Sequence, residues 1–133
     1  YQRLKAISAD GDWNGWLVFF LQAIAIQATQ NSERVTAIQA LYEEMKLAIQ
    51  AATRSQYTVH VLDAIFNKPI FRSSDLAQQL FREFGIHEKT GQGLLRQMRD
   101  TGILRELRPG SGRRPSTLCF PRLINLAEGR TVI

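Results

Sequence analysis

The stretch from Ser73 to Phe120 constrains the fold most, because two helical patterns and a strand pair follow one another there with short connections. The first helix is predicted to begin at Ser73 or Ser74, whose hydroxyl groups can cap free backbone N–H groups. Gly85 predicts its end, since glycine readily adopts the left-handed conformation. The apolar residues between these limits recur at helical spacing and are Leu76, Ala77, Leu80, Phe81 and Phe84.

A second helix is predicted from about Glu88 to Thr101. Its inward residues are Gly91, Leu94, Leu95 and Met98. The residues that this pattern leaves outward include Lys89, Thr90, Gln92 and Arg96. Such side chains suit the major groove of DNA, because Arg and Lys contact phosphates or guanine, Gln contacts adenine, and Thr contacts either. We therefore predict that these four residues read DNA.

A hairpin is predicted next, with strands at Ile103–Leu107 and Thr117–Phe120. The loop 108–115 is rich in Gly and Pro and is basic, which predicts a wing whose Arg108, Arg113 and Arg114 contact DNA phosphates. A solubilising hairpin tip is the alternative interpretation of this loop. Helix, turn, helix and basic hairpin in this order are typical of a winged helix-turn-helix domain.

The positive charge of the chain is concentrated in this region. The net charge is +5, and residues 85–122 contain eight Lys or Arg against three Asp or Glu, whereas the rest of the chain contains nine of each kind. The excess charge therefore lies where the DNA contacts are predicted, which indicates a nucleic-acid partner more than a general solubility effect.

The first 54 residues predict a helical arm. Residues Trp13–Ile26 are apolar at helical spacing, and a long helix with a heptad-like pattern is predicted from Ser32 to about Thr53. Asn31 or Ser32 is its predicted cap if it is not continuous with the preceding helix. An antiparallel pair of these two helices within the chain is the preferred interpretation, and a homodimer through the arm is the alternative. The chain as a whole is predicted to be mainly α, with a helical arm at 1–54 and a winged helix-turn-helix domain with a small antiparallel wing at 55–133.

The sequence shows few groups suited to catalysis or metal binding. His60 and His87 are isolated, and the single cysteine, Cys119, lies in an apolar strand, where burial and a reducing cytoplasm are expected. The apolar run Trp16–Ile26 is too short to span a bilayer. We therefore predict a cytoplasmic protein with no metal site, no cofactor, no catalytic residue and no membrane partner.

A resemblance extends over nearly the whole chain. The opening Tyr1-Gln2-Arg3-Leu4, the run from Asp10-Gly11-Asp12-Trp13 to Phe19-Phe20-Leu21 and the following long helix resemble the C-terminal region of Fic-family proteins. The catalytic domain of that family transfers AMP from ATP to target hydroxyl groups, and many members continue into a winged-helix domain like Thr58–Phe120. The family's His-Pro-Phe motif and the Gly-Asn-Gly-Arg that follows it occur nowhere in this chain.

The resemblance implies a chain that is not itself an enzyme. The AMP-transfer chemistry would lie upstream, in a longer parent protein. The main hypothesis is a winged-helix module that binds double-stranded DNA and regulates transcription. The alternatives are a protein-interaction or dimerisation module that presents targets to an AMP-transfer domain, and a complete small regulator whose arm dimerises on a palindromic site.

Overall fold

The computed structural model describes residues 1–133, except for the side chains of residues 3 and 10. The chain is mainly helical and has one small antiparallel sheet, which confirms the prediction at that level. The elements in chain order are α1 Gln2–Asp10, α2 Trp13–Thr53, α3 Thr58–Asn67, β1 Ile70–Arg72, α4 Ser73–Phe84, α5 Glu88–Asp100, β2 Arg105–Arg108, β3 Thr117–Cys119 and α6 Pro121–Glu128.

The chain divides into two compact units, Tyr1–Thr36 and Ala37–Ile133. In the first unit, α1 ends at Gly11, which has a left-handed φ of 65° and donates its N–H to the Ile7 carbonyl oxygen at 3.1 Å. Asp12 caps the start of α2, because its Oδ1 accepts a hydrogen bond from the Gly15 N–H at 2.9 Å. The large apolar side chains of this unit that remain exposed include Trp13, Phe19, Leu21 and Ile26.

Helix α2 is continuous over 41 residues. The prediction of two helices that form an antiparallel pair within the chain is therefore wrong, because both segments belong to the same helix. Asn31 and Ser32 are polar residues that favour caps, but no Pro or Gly interrupts the backbone hydrogen bonds at that point. The domain limits predicted from the sequence, 1–54 and 55–133, stay a prediction, since compactness divides the chain within α2.

The second unit contains the hydrophobic core. Helix α2 contributes Leu41, Met45 and Ile49 on one stripe, which is the spacing that a helix needs to bury one side. The other core residues come from α3 to α6, the sheet and the connections between them, and they include Val61, Leu62, Ile65, Phe71, Leu76, Leu80, Ile86, Leu94, Leu95, Met98, Leu104, Leu118, Phe120 and Leu123. The core therefore holds α4, α5 and the sheet in one unit.

Helices α4 and α5 pack closely through small residues. A Cβ at Gly91 would lie 3.4 Å from the Ala77 Cα, which is van der Waals contact, so the two helices approach each other closely at this position. Gly85 ends α4 with a φ of 68°, as the sequence predicted, and the buried Ile86 then returns the chain to the core. The predicted hydroxyl cap is wrong, because the N-cap of α4 is Arg72 and no side chain caps it.

The sheet has the strand order β1-β3-β2. Strand β3 pairs with β1 through Phe71 and Leu118, which are both buried. The predicted strand Ile103–Leu107 is displaced by two residues at its start, since β2 spans Arg105–Arg108. Ile103 and Leu104 instead close the end of α5, because both of their N–H groups donate to the Met98 carbonyl oxygen. None of the described helices is long and apolar enough to cross a membrane.

Candidate nucleic-acid interface

Helix α5 has one buried side and one polar side. Gly91, Leu94, Leu95 and Met98 are buried, as predicted, whereas Lys89, Thr90, Gln92 and Arg96 are exposed. His87 is the N-cap of the helix, and its Nδ1 accepts a hydrogen bond from the Lys89 N–H at 3.3 Å. The apolar spacing that buries one side of α5 in the core thus leaves its polar side available to a partner.

Gly93 lies on this polar side, four residues after Lys89 and three before Arg96. A Cβ at Gly93 would meet nothing within 4 Å, in contrast to Gly91. Glycine inside a helix costs about 1 kcal/mol relative to alanine. Helix α4 therefore lies close to Gly91, whereas nothing within the chain lies close to Gly93.

A polar cleft of about 190 Å³ connects the polar side of α5 to the base of the hairpin. We call it the serine cleft, and its lining residues are Ser73, Gln92, Leu95, Arg96, Arg99, Ser116 and Leu118. Its two serines join α4 to the hairpin, because the Ser73 N–H donates to the Ser116 carbonyl oxygen at 2.9 Å and the Ser116 hydroxyl donates to the Ser73 hydroxyl at 3.2 Å. The cleft thus brings together three elements that are separate in sequence.

A β-bulge aligns a row of basic side chains across the sheet. Glu106 pairs with Leu118, but Arg108 rather than Leu107 pairs with Thr117, so Leu107 is the extra residue of the bulge. Thr117 also pairs with Arg72 of β1. Because paired residues in an antiparallel sheet point to the same face, Arg72, Thr117 and Arg108 lie side by side on the face opposite Leu118.

A second cleft, of about 220 Å³, lies at this row. We call it the arginine cleft, and its lining residues are Arg72, Arg108, Arg114, Pro115 and Thr117. Two of these residues, Arg108 and Arg114, were predicted from the sequence to contact phosphates. Arg72 was missed, although strand alternation after the buried Phe71 was a signal that places it on the outer face.

A tight turn forms the tip of the hairpin. Ser111 and Arg114 form a bridge in which each N–H donates to the other residue's carbonyl oxygen, at 3.0 and 2.9 Å. The two residues between them are Gly112, with a φ of 55°, and Arg113. The turn therefore holds Arg113, the third predicted phosphate contact, at the exposed apex of the hairpin.

The predicted contact residues are all exposed. Together with Arg72 we call them the basic surface, which consists of Arg72, Lys89, Thr90, Gln92, Arg96, Arg108, Arg113 and Arg114. Among the side chains that the structure describes, no carboxylate oxygen lies within 4.0 Å of a charged nitrogen of this surface. Contact of these residues with nucleic acid stays a prediction.

Two nearby arginines differ from the basic surface because each holds a carboxylate. Arg99 contacts Asp100 at 3.0 Å and Glu106 at 3.6 Å. Arg122 donates to both carboxylate oxygens of Glu44, at 2.6 and 2.9 Å, and this hydrogen bonding lowers the pKa of Glu44. These two residues, the salt-bridged arginines, are neutralised by the chain itself.

The structure offers little support for other chemistry in the part of the chain that it describes. Cys119 is fully buried, as predicted, and burial raises the pKa of its thiol, which opposes formation of the reactive thiolate. No group of three His, Cys, Asp or Glu residues with described positions could hold a metal ion. No protein-family model matches the chain.

Proposed function

We propose that residues 55–133 form a winged helix-turn-helix domain that binds double-stranded DNA. In this proposal α4 and α5 are the two helices of the motif, α5 enters the major groove, and the β2–β3 hairpin is the wing. The order of elements, the close packing of α4 on α5 at Gly91 and the three-stranded sheet support this assignment.

The observation that carries the proposal is the basic surface, in which exposed cations from α5, β1 and the hairpin have no carboxylate beside them. DNA offers phosphates to such a surface, and phosphate contacts dominate the affinity of DNA-binding proteins. The residues that would reach base edges are Lys89, Thr90, Gln92 and Arg96. Phosphate contacts would come from Arg108, Arg113 and Arg114. Gly93 would let the backbone of α5 approach the DNA closely.

The test is binding of the chain to random duplex DNA, measured by fluorescence anisotropy over a range of salt concentrations. We expect the affinity to fall steeply as the salt concentration rises. In the double variant Lys89→Gln/Arg96→Gln, the slope of log affinity against log salt concentration should be shallower by about two units, because both side chains would neutralise phosphates in non-specific complexes. Arg122→Gln/Arg130→Gln is the matched control, since it also removes two positive charges and both residues are exposed and lie outside the basic surface. Absence of binding at low salt would overturn the proposal.

The exposed apolar side chains of the first unit favour a second candidate function. Trp13, Phe19, Leu21 and Ile26 are between about half and two-thirds exposed, at 60, 52, 61 and 60%. Exposed apolar patches are typical of protein contacts. In this alternative the chain is a protein-interaction or dimerisation module, and the basic surface meets an acidic partner.

The wider setting of the domain is also a proposal. We propose that the chain is the C-terminal region of a Fic-family protein that regulates transcription in the cytoplasm, and that AMP transfer, if the parent protein performs it, needs residues absent from this chain. Sizing the natural gene product and searching it for the His-Pro-Phe and Gly-Asn-Gly-Arg motifs tests this proposal. A natural product without these motifs would overturn it.

A further inference from the structure

Three arginines line the arginine cleft, and no acidic residue is among its lining residues. Arg72 and Arg108 flank Thr117 on the two neighbouring strands. Neighbouring strands lie about 4.8 Å apart, so the backbones of the two arginines are separated by about 10 Å with Thr117 between them. Long side chains on the same face of the sheet can therefore converge above Thr117.

The nearest acidic residue of the hairpin does not face the cleft. Glu106 pairs with Leu118, whose side chain is buried on the other face of the sheet, and Glu106 contacts Arg99 there. Without the bulge at Leu107, Arg108 would lie on the same face of the sheet as Glu106. The bulge instead pairs Arg108 with Thr117, on the opposite face. The sheet thus places its acidic side chain and its basic side chains on opposite faces.

Arg114 approaches the cleft from a constrained backbone. Its N–H and carbonyl groups are both bonded to Ser111, and Pro115 follows it. The two arms of the hairpin are close here, since a Cβ at Gly110 would lie 3.2 Å from the Arg114 carbonyl oxygen and 3.2 Å from the Ser116 nitrogen. The third guanidinium is therefore attached to a segment with little backbone freedom.

We propose that the arginine cleft is a binding site for a single phosphate group, with Arg72, Arg108 and Arg114 as its charged donors and the Thr117 hydroxyl as a neutral donor. Planar guanidinium groups bind phosphate oxygens through paired hydrogen bonds, which three convergent arginines supply around one tetrahedral anion. The site deepens the proposed function if the phosphate belongs to the DNA backbone. A free phosphate or phosphate monoester has the same chemistry and is the other source.

The first arm of the test uses inorganic phosphate and the intact chain. Backbone amide NMR shifts are followed during a phosphate titration, with chloride at matched ionic strength as the reference. We expect saturable shifts at Arg72, Arg108 and Thr117 in the wild type and in Arg130→Gln, and loss of these shifts in Arg72→Gln. The absence of saturable shifts in the wild type would overturn a free-phosphate site.

The second arm measures DNA affinity against salt for wild type, Arg72→Gln, Arg72→Lys and Arg130→Gln. Loss of one phosphate contact lowers the slope of log affinity against log salt concentration by about 0.9. If the contribution of that contact to affinity vanishes at 1 M salt, binding at 0.1 M salt becomes about eightfold weaker. We expect this loss in Arg72→Gln but not in Arg130→Gln. Arg72→Lys should keep the slope and bind more weakly than wild type, because lysine lacks the planar fork.

The outcomes separate the two proposals. Phosphate shifts in a chain that does not bind DNA would support the cleft, identify a free phosphate group as its ligand and overturn the DNA-binding function. DNA binding with Arg72→Gln indistinguishable from Arg130→Gln, and no phosphate shifts, would overturn the cleft and leave the DNA-binding function intact.

Discussion

The basic surface and the salt-bridged arginines use the same kind of side chain in opposite ways. Arg99 and Arg122 each hold a carboxylate of the chain, at 3.0 Å or less, whereas Arg72, Arg108 and Arg114 share a cleft that no carboxylate lines. Exposed ion pairs contribute little to stability. The two groups therefore differ in their availability to an external anion more than in their contribution to stability, because a carboxylate already occupies the guanidinium groups of Arg99 and Arg122.

The largest effect that this comparison predicts is on DNA affinity. In Arg108→Gln/Arg114→Gln we expect about sixtyfold weaker binding to random duplex DNA at 0.1 M salt and a salt slope lower by about 1.8, since two phosphate contacts are lost. The free energy of unfolding should change by less than about 0.5 kcal/mol, because both side chains are exposed. Anisotropy titrations and urea denaturation measure the two quantities.

The matched control for this variant is Arg122→Gln/Arg130→Gln, which removes the same charge outside the basic surface. Its DNA affinity should stay within about threefold of wild type, because only the long-range field of the protein changes. Equal losses in the two double variants would show that net charge, and not the arrangement of the basic surface, governs binding.

Gly93→Ala tests whether the polar side of α5 is adapted to a close partner. A Cβ there meets nothing within 4 Å, so the variant should gain about 1 kcal/mol of stability from helix propensity. DNA binding should weaken by about fivefold, which equals about 1 kcal/mol, because the methyl group lies between α5 and the groove. A variant that is more stable and binds DNA as tightly as wild type would argue against a close approach at this position.

Tyr42→Phe removes a hydrogen bond that lies outside the basic surface. The Tyr42 hydroxyl donates to Asp63 Oδ1 at 2.6 Å, and its removal should cost about 1 kcal/mol of stability without changing DNA affinity. A loss of DNA affinity in this variant would show that contacts remote from the basic surface also control binding.

The same hydrogen bond predicts a pH dependence. Chiefly through the bond to Asp63, the pKa of Tyr42 is raised from 10.0 to about 12. The unfolded chain therefore loses this proton at a lower pH than the folded chain. The stability that Tyr42 contributes should be complete below pH 10 and should be lost between pH 10 and about 12. Denaturation of wild type and Tyr42→Phe across this range measures it, with Tyr57→Phe as the control for phenol ionisation.

The smallest effect on DNA affinity is expected when Arg99 loses one of its two carboxylate partners. Glu106→Gln removes one of the two carboxylates beside Arg99, which lines the serine cleft with Gln92 and Arg96. DNA affinity should rise by about twofold, because Asp100 still holds Arg99 and a surface pair contributes little. Weaker binding in this variant would show that Glu106 positions the helix or hairpin for DNA.

Much of the helical structure around the candidate site was predictable from local patterns. The limits of α4 and α5 agree with the predictions to within one residue, because apolar residues at helical spacing and Gly85 act over a few positions of the chain. The burial of Leu94, Leu95 and Met98 followed from the same spacing. All seven predicted contact residues are exposed. Four of them lie on the side of α5 opposite its apolar stripe, and the other three lie on the hairpin.

The helical arm shows where local patterns were insufficient. Asn31 and Ser32 favour a helix start, but a preference of this size does not interrupt a helix that has good helix formers on both sides. The structure therefore has one helix, Trp13–Thr53, where two were predicted. Phe19 and Leu21 are exposed, whereas Met45 and Ile49 of the same helix are buried, so apolar character alone did not predict which side chains this helix buries.

The sequence by itself determined the two helices α4 and α5, the sides that they expose and the concentration of positive charge at residues 85–122. Only the tertiary structure determined which arginines line the same cleft. Arg72 and Arg108 are separated by 35 positions, and the register of β3 with both neighbours, together with the bulge at Leu107, places them on either side of Thr117. Strand register depends on which residues pair across the sheet and on which face is buried, and no local pattern of a single strand contains that information.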